Sequence, residues 1–154
     1  MTVLVAYASK HGATREIAEA LGRDLRSRGI DVDVFRADEV GGLDEYDAVV
    51  LGSAVYMGNW LPAAQALRDR CTHEHLWLFS SGPIGDPPLP APPDVGPRHR
   101  IIPGKIDRQG LSLAERGIVK LVKAAYGDYR DWDAVAELAD DVADELGVSA
   151  YSIA

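Results

Sequence analysis

One cysteine, Cys71, stands in 154 residues, which excludes an intrachain disulfide and any metal site built from several thiolates. Basic residues are also in deficit. Sixteen Lys and Arg against 24 Asp and Glu leave a formal charge of −8, so the surface lacks the basic footprint of a general nucleic-acid binder and no nucleic-acid partner is expected. Apolar runs are only a few residues long, far short of the ~20 that a membrane helix needs. A secretory leader pattern is missing as well, which together with the single thiol makes a reducing cytoplasm the expected compartment. No Gly-x-Ser-x-Gly elbow occurs, and Cys71, at the end of a predicted helix, has no evident base beside it; nucleophilic catalysis has no support. Four histidines are present (His11, His73, His75 and His99), but none has Cys, His or carboxylate spacing that suits zinc. His73 and His75 read as a solvated loop, and no metal is expected. What is present is ordinary for a folded chain: 47% hydrophobic and 26% charged residues, in a length that fits one domain, 1–154.

Short apolar runs alternate with helical patterns. Thr2-Val3-Leu4-Val5-Ala6 is nearly continuous in apolar character, as a parallel strand covered on both faces must be. Residues 15–28 then place Ile17, Ala18, Leu21 and Leu25 at helical intervals, with Gly29 as the stop. Asp31 to Phe35 alternates polar and apolar, the pattern of a strand near an edge. A second buried strand is predicted over 46–51, ending at Gly52-Ser53, and a helix over 61–70 with Pro62 in its first turn. Leu76-Trp77-Leu78-Phe79 predicts a third buried strand, ending at Ser80-Ser81-Gly82. Residues 100–102 predict a last one, where Pro103 suits an edge. Helices are predicted over 113–126 and 132–146.

This alternation predicts an α/β three-layer sandwich around an open parallel sheet of five strands in the order 2-1-3-4-5. Its ligand crevice would lie beyond the carboxyl ends of strands one, three and four. Between the last two strands, residues 83–97 hold Pro83, Pro87, Pro88, Pro90, Pro92, Pro93 and Pro97, so the fourth crossover helix is expected to be shortened or lost. The stretch reads as a stiff connector, with a surface cover or a partner-docking strip as the alternatives.

Three loops fall at that end of the sheet. The first, Tyr7-Ala8-Ser9-Lys10-His11-Gly12-Ala13-Thr14, has the chemistry of a monophosphate cradle. Ser9 and Thr14 carry hydroxyls, Gly12 lets backbone approach an anion, and the following helix supplies free amides. It lacks the Gly-x-Gly-x-x-Gly of a dinucleotide loop and the Gly-Lys-Ser/Thr ending of a triphosphate loop. The plain alternative is a helix start capped by Thr14.

The run from Ala6 to Thr14 resembles the flavodoxin signature, in which small hydroxyl residues and a glycine hold the FMN phosphate. Further stretches are similar to the branch of flavodoxin-domain proteins around menaquinone-dependent protoporphyrinogen oxidase. They are Gly52-Ser53-Ala54-Val55-Tyr56-Met57-Gly58, Gly104-Lys105-Ile106-Asp107 and Gly127-Asp128-Tyr129-Arg130-Asp131-Trp132. The likeness implies a flavodoxin-like fold with FMN as cofactor, its phosphate on Ser9, Lys10, His11, Gly12, Ala13 and Thr14. It implies that Ala54, Val55, Tyr56, Met57, Gly58 and Asn59 wrap one side of the flavin ring. Tyr56, Met57 and Trp60 offer aromatic or sulfur faces to a flat ring, and the Gly58 peptide can turn a carbonyl toward its N5 proton. Backbone amides of the third loop, Ser81, Gly82, Pro83, Ile84 and Gly85 (proline excepted), would meet the ring's polar edge. The long insertion that this branch carries after its fifth strand is absent, since Asp107 to Asp131 is short and holds only the rings of Tyr126 and Tyr129.

Charge is unevenly placed. Asp128 to Glu145 carries eight acidic residues and one arginine, which reads as the solvated face of the last helix, with Asp131 as its cap and Trp132 packed on the sheet. Residues 113–125 form a basic amphipathic stretch whose apolar side covers the sheet or, alternatively, touches a membrane surface. The resulting expectation is an FMN-binding oxidoreductase that oxidises protoporphyrinogen or a similar donor and passes electrons to a quinone. The alternatives are a flavodoxin-type electron carrier serving redox partner proteins, and a binding module without flavin. No side chain in the loops stands out as a general acid, so no catalytic residue is assigned.

Overall fold

The computed structural model describes residues 1–9, 12–56, 59–82, 98–103, 105–106, 127–128 and 132–148. Lys10, His11, Met57, Gly58, Pro83, Ile84 and Gly85, the rest of the proline-rich segment and the basic stretch 113–125 lie outside them.

Strand β1 (Thr2–Ala8) pairs in parallel with β2 (Asp31–Arg36) on one side and β3 (Ala48–Tyr56) on the other. β3 continues to β5 (Leu76–Gly82), and β5 to β6 (His99–Pro103), both in parallel. A two-residue strand, β4 (Asn59–Trp60), folds back on the end of β3, so the main path reads β2-β1-β3-β5-β6. With that hairpin set aside, this is the expected order 2-1-3-4-5, and the fold is flavodoxin-like. Pro103 ends the edge strand β6, as its missing N–H requires. A separate antiparallel pair, β7 (Lys105–Ile106) with β8 (Gly127–Asp128), has no periodic signal in so few residues and is not legible in the chain.

Alternate residues of each strand feed two cores. Val3 and Val5 of β1, Val50 of β3 and Phe79 of β5 face helices α1 (Ala13–Arg26) and α3 (Trp132–Glu145), meeting Ile17, Leu21, Leu25, Leu138 and Val142. Leu4 and Ala6, Val49 and Leu51 face the other way, toward Ala64 and Leu67 of helix α2 (Pro62–Arg70). Each fully buried Leu, Ile or Phe in these layers contributes roughly 1.5–3 kcal/mol. One contact fixes a residue type outright: a Cβ at Gly52 would lie 1.9 Å from the ring of Phe79, so the ring occupies the space a side chain would need.

The element bounds move in instructive ways. α1 starts and ends two residues earlier than predicted, and Gly29 takes a φ of 80° just beyond it. β3 and β5 run past their predicted ends through Ser53 to Tyr56 and through Ser80 to Gly82, because parallel neighbours pair with Ser53, Ala54 and Ser80 to Gly82, and the antiparallel β4 pairs with Val55 and Tyr56. The acidic run on α3 is not simply a solvated face. Asp140 bonds Arg28 at 2.5 Å, Asp141 bonds Arg100 at 2.5 Å, and Glu145 takes both Arg98 and the Trp77 indole N–H, tying the helix to the turn after α1, to β5, and to β6 with the residue before it. Trp132 does not pack down on the sheet; it is 46% exposed at the first position of α3. His73 and His75 are half-buried rather than solvated. The His73 Nε2 reaches the Tyr46 carbonyl at 2.7 Å, and its Nδ1 accepts the His75 amide.

Candidate functional site

The β1–α1–β2 crossover covers one face of the sheet and the β3–α2–β5 crossover the other, so the chain reverses winding between β1 and β3. In open α/β sheets the carboxyl ends of the strands at such a reversal are where a ligand crevice is expected. Ala8, Ser53 and Ser80 lie abreast at its floor, paired strand to strand.

At the β1 end the backbone is arranged around an open helix start. Gly12 holds a φ of 90°, a left-handed conformation that suits glycine, and a Cβ there would meet nothing within 4 Å. The Gly12 amide donates to Ser9 Oγ at 2.9 Å, which still leaves the Ser9 hydroxyl hydrogen to donate elsewhere. The first helical bond of α1 runs from the Glu16 amide to the Gly12 carbonyl at 3.0 Å. The amides of Ala13, Thr14 and Arg15 therefore precede the helical ladder, and no side chain caps them among the described residues. Gly12, not Thr14, occupies the cap position. Thr14 is the second residue of the helix, 2% exposed. A cap glycine has no side-chain acceptor to consume those amides. Three free N–H groups, two hydroxyls and the positive end of a helix form a donor set without acceptors, which fits a phosphate. The nearby guanidinium groups are committed elsewhere: Arg15 to Glu19 and Arg36 to Asp38, each at 3.0 Å, and these carboxylates hold both arginines above their ordinary pKa.

At the β3 end the expected loop is a hairpin. Val55 pairs with Trp60 and Tyr56 with Asn59, so Ala54, Val55 and Tyr56 belong to the strand and Asn59 and Trp60 to its return leg. Ala54 is half-buried, Val55 buried and Asn59 exposed. Trp60 lies beneath the hairpin in the core, 4% exposed. Its indole N–H donates to Ser80 Oγ at 2.8 Å, and that oxygen lies 2.5 Å from His99 Nε2. Beside it, Ser53 Oγ accepts the Leu61 amide at 3.0 Å and donates to the Ala54 carbonyl at 2.8 Å. At the β5 end, Ser81 is buried and pairs with Ala54 and Ile102, and Gly82 is the last residue of the strand.

Sequence reasoning missed Ser80 and His99 as a pair. Nineteen residues and the proline-rich segment separate them, and no motif signals the contact. A faint cue existed in the polar residue, His99, at the start of the edge strand β6, where it is 7% exposed. Among the described residues, no three His, Cys, Asp or Glu side chains cluster as a metal site would need, and no helix is long and apolar enough to cross a membrane.

The parallel sheet, its switch point and the open helix start define a flavodoxin-like α/β protein. Residues 4–86 match the family described as the flavodoxin domain, and the chain belongs to that family. It is 23% identical to protoporphyrinogen IX dehydrogenase [quinone] of Escherichia coli strain K12, over 93% of this chain and 95% of that protein. Among solved structures it resembles a flavodoxin from the domain Archaea, with TM-score 0.62 and 20% identity over 96% of this chain and 99% of the other. It also resembles oxidised Flavodoxin 2 from Bacillus cereus, with TM-score 0.60 and 17% identity over 94% and 99%.

Proposed function

We propose that the chain is an FMN-dependent oxidoreductase that holds its cofactor without a covalent bond in the crevice at the ends of β1, β3 and β5. The open start of α1 carries this reading: Ser9 and Thr14 hydroxyls and the amides from Ala13 onward would hold the phosphate, with Gly12 giving it room. Bound there, FMN would supply the electron chemistry, and the protein would set its access and its potential. The hairpin through Ala54, Val55, Tyr56 and Asn59 would hold one side of the ring, and the end of β5 from Ser81 and Gly82 its polar edge. Lys10, His11, Met57, Gly58, Pro83, Ile84 and Gly85 complete the proposed set.

The donor we propose is protoporphyrinogen or a similar reduced organic molecule, and the acceptor a quinone, on the strength of the full-length likeness to protoporphyrinogen IX dehydrogenase. The basic stretch 113–125 is the segment that would meet a membrane surface from which a quinone is drawn. A second reading, an electron carrier between redox proteins, draws on the match to a flavodoxin along nearly its whole length.

Titration of the purified protein with FMN, followed by flavin fluorescence and visible absorption, tests the binding. Stoichiometric quenching is the expected result, and its absence leaves a binding module without flavin. Protoporphyrinogen should then bleach the bound flavin and a menaquinone analogue restore it. Reduction by a flavodoxin reductase with no response to protoporphyrinogen would favour the carrier.

A further inference from the structure

We propose that Ser80 and His99 are positioning residues that hold the β3–β4 hairpin in register with the flavin crevice, a role that rests on the flavin-binding reading above. Ser53 and Ser80 are directly opposite one another on β3 and β5, both buried. Their hydroxyls grip two successive residues, the last of the hairpin's return leg and the one after it: Ser80 takes the indole N–H of Trp60 and Ser53 the backbone N–H of Leu61. Gln65 of α2 closes the group by donating to the Trp60 carbonyl at 3.0 Å. The return leg is thus tied to two central strands and a helix within three residues of Met57-Gly58.

His99 gives the Trp60–Ser80 bond its direction. It pairs with Leu78 in the β5–β6 register, one same-face step before Ser80, and its ring reaches forward to the serine. Ser80 Oγ has one hydrogen to give. If His99 Nε2 accepts that hydrogen, the oxygen's lone pairs face Trp60, and the line Trp60 N–H to Ser80 O–H to His99 Nε2 is satisfied at every atom. If Nε2 carried the proton instead, Ser80 would receive two donors and its own hydrogen would need a third partner in a buried place. The geometry therefore assigns Nε2 as the acceptor. The His99 and Trp60 rings also meet edge to face, with centroids 5.9 Å apart and planes at 78°, so the histidine holds the indole by direct ring contact and, through Ser80, by the hydrogen-bond line. Arg68 lies over the Trp60 ring at 5.6 Å. A buried network of this kind has one low-energy arrangement, and losing one member leaves a donor without an acceptor.

The test compares Ser80→Ala and Ser80→Thr, and His99→Leu and His99→Gln, in the full chain. Threonine keeps the hydroxyl, and glutamine keeps an acceptor of similar reach. Ser80→Ala and His99→Leu should weaken FMN binding about tenfold, the effect of one buried donor losing its partner. They should also shift the midpoint potential of the bound flavin, with Ser80→Thr and His99→Gln restoring both toward the parent. In the FMN-free protein, the Trp60 indole N–H signal, identified by its loss in Trp60→Phe, should exchange slowly with solvent in the parent and quickly in Ser80→Ala. Lower thermal stability with unchanged FMN affinity and potential would reduce the pair to core packing and overturn the proposal. Equal behaviour of the conservative and disruptive variants would do the same. A parent protein that binds no FMN at all overturns the flavin reading instead, and the indole signal still reports whether the clamp exists.

Discussion

The two ends of the crevice use the same chemical groups to opposite purposes. At the β1 end, the Ala13, Thr14 and Arg15 amides precede the helical ladder with no side-chain cap, and Gly12 carries no side chain that could claim them. At the β3 and β5 ends, hydroxyls of equal size are spent inside the protein: Ser53 on Leu61 and Ala54, Ser80 on Trp60 and His99. An open donor set is left to meet a ligand; a satisfied one holds the protein's own elements. The difference teaches where substitutions should alter affinity alone and where they should alter stability as well.

The largest effect is expected beneath both ends. Gly52→Ala places a methyl 1.9 Å from the Phe79 ring, so the aromatic must move within a packed core. Overpacking of this severity should cost about 3 kcal/mol and lower Tm by roughly 10 °C in a thermal melt. Ser53→Ala comes next. It strips the Leu61 amide of its acceptor and should cost about 1–3 kcal/mol in denaturant unfolding, with FMN affinity falling alongside. Thr14→Val is the contrasting case at the open end. The shape is kept and no internal bond is lost, so Tm should barely change while FMN affinity falls about tenfold in fluorescence titration. If Thr14→Val and Ser53→Ala give the same ratio of stability to affinity loss, the distinction between the two ends fails.

The smallest effect lies away from the crevice, at Tyr46. Burial and the bond to Asp33 at 2.9 Å push its hydroxyl up to about 12 from 10.0. The folded state then keeps a proton that the unfolded state releases, so the stabilisation is fully present below pH 10 and is lost as pH rises toward about 12. Unfolding free energy measured against pH should fall over that range in the parent, and Tyr46→Phe should flatten the fall with FMN affinity at neutral pH unchanged.

The sheet was legible wherever burial is written locally. Val3-Leu4-Val5-Ala6 and Ala48-Val49-Val50-Leu51 announce strands covered on both faces because each residue goes to one core or the other. The first loop was legible for a similar reason: hydroxyl, glycine and helix start lie within Ser9 to Thr14. The hairpin was not. Ala54-Val55-Tyr56 carries no signal that distinguishes a strand extension from a loop until Asn59 and Trp60 supply its partner. Nor was the place of Trp60, whose indole could equally have faced a ligand.

Taken alone, the sequence determined the alternation of buried strands and helices that makes an open parallel sheet, and it put hydroxyls and a glycine in the loop before the first helix. Each follows from short-range patterns: apolar runs, helical spacing, and a glycine before a helix start. Only the tertiary structure decided that Phe79 excludes a side chain at Gly52, that Asp140 and Asp141 answer Arg28 and Arg100, and that Ser80 stands between Trp60 and His99. These depend on strand register and on contacts between residues far apart in the chain. A hydroxyl or an imidazole has no preferred partner until packing removes water and leaves one within reach.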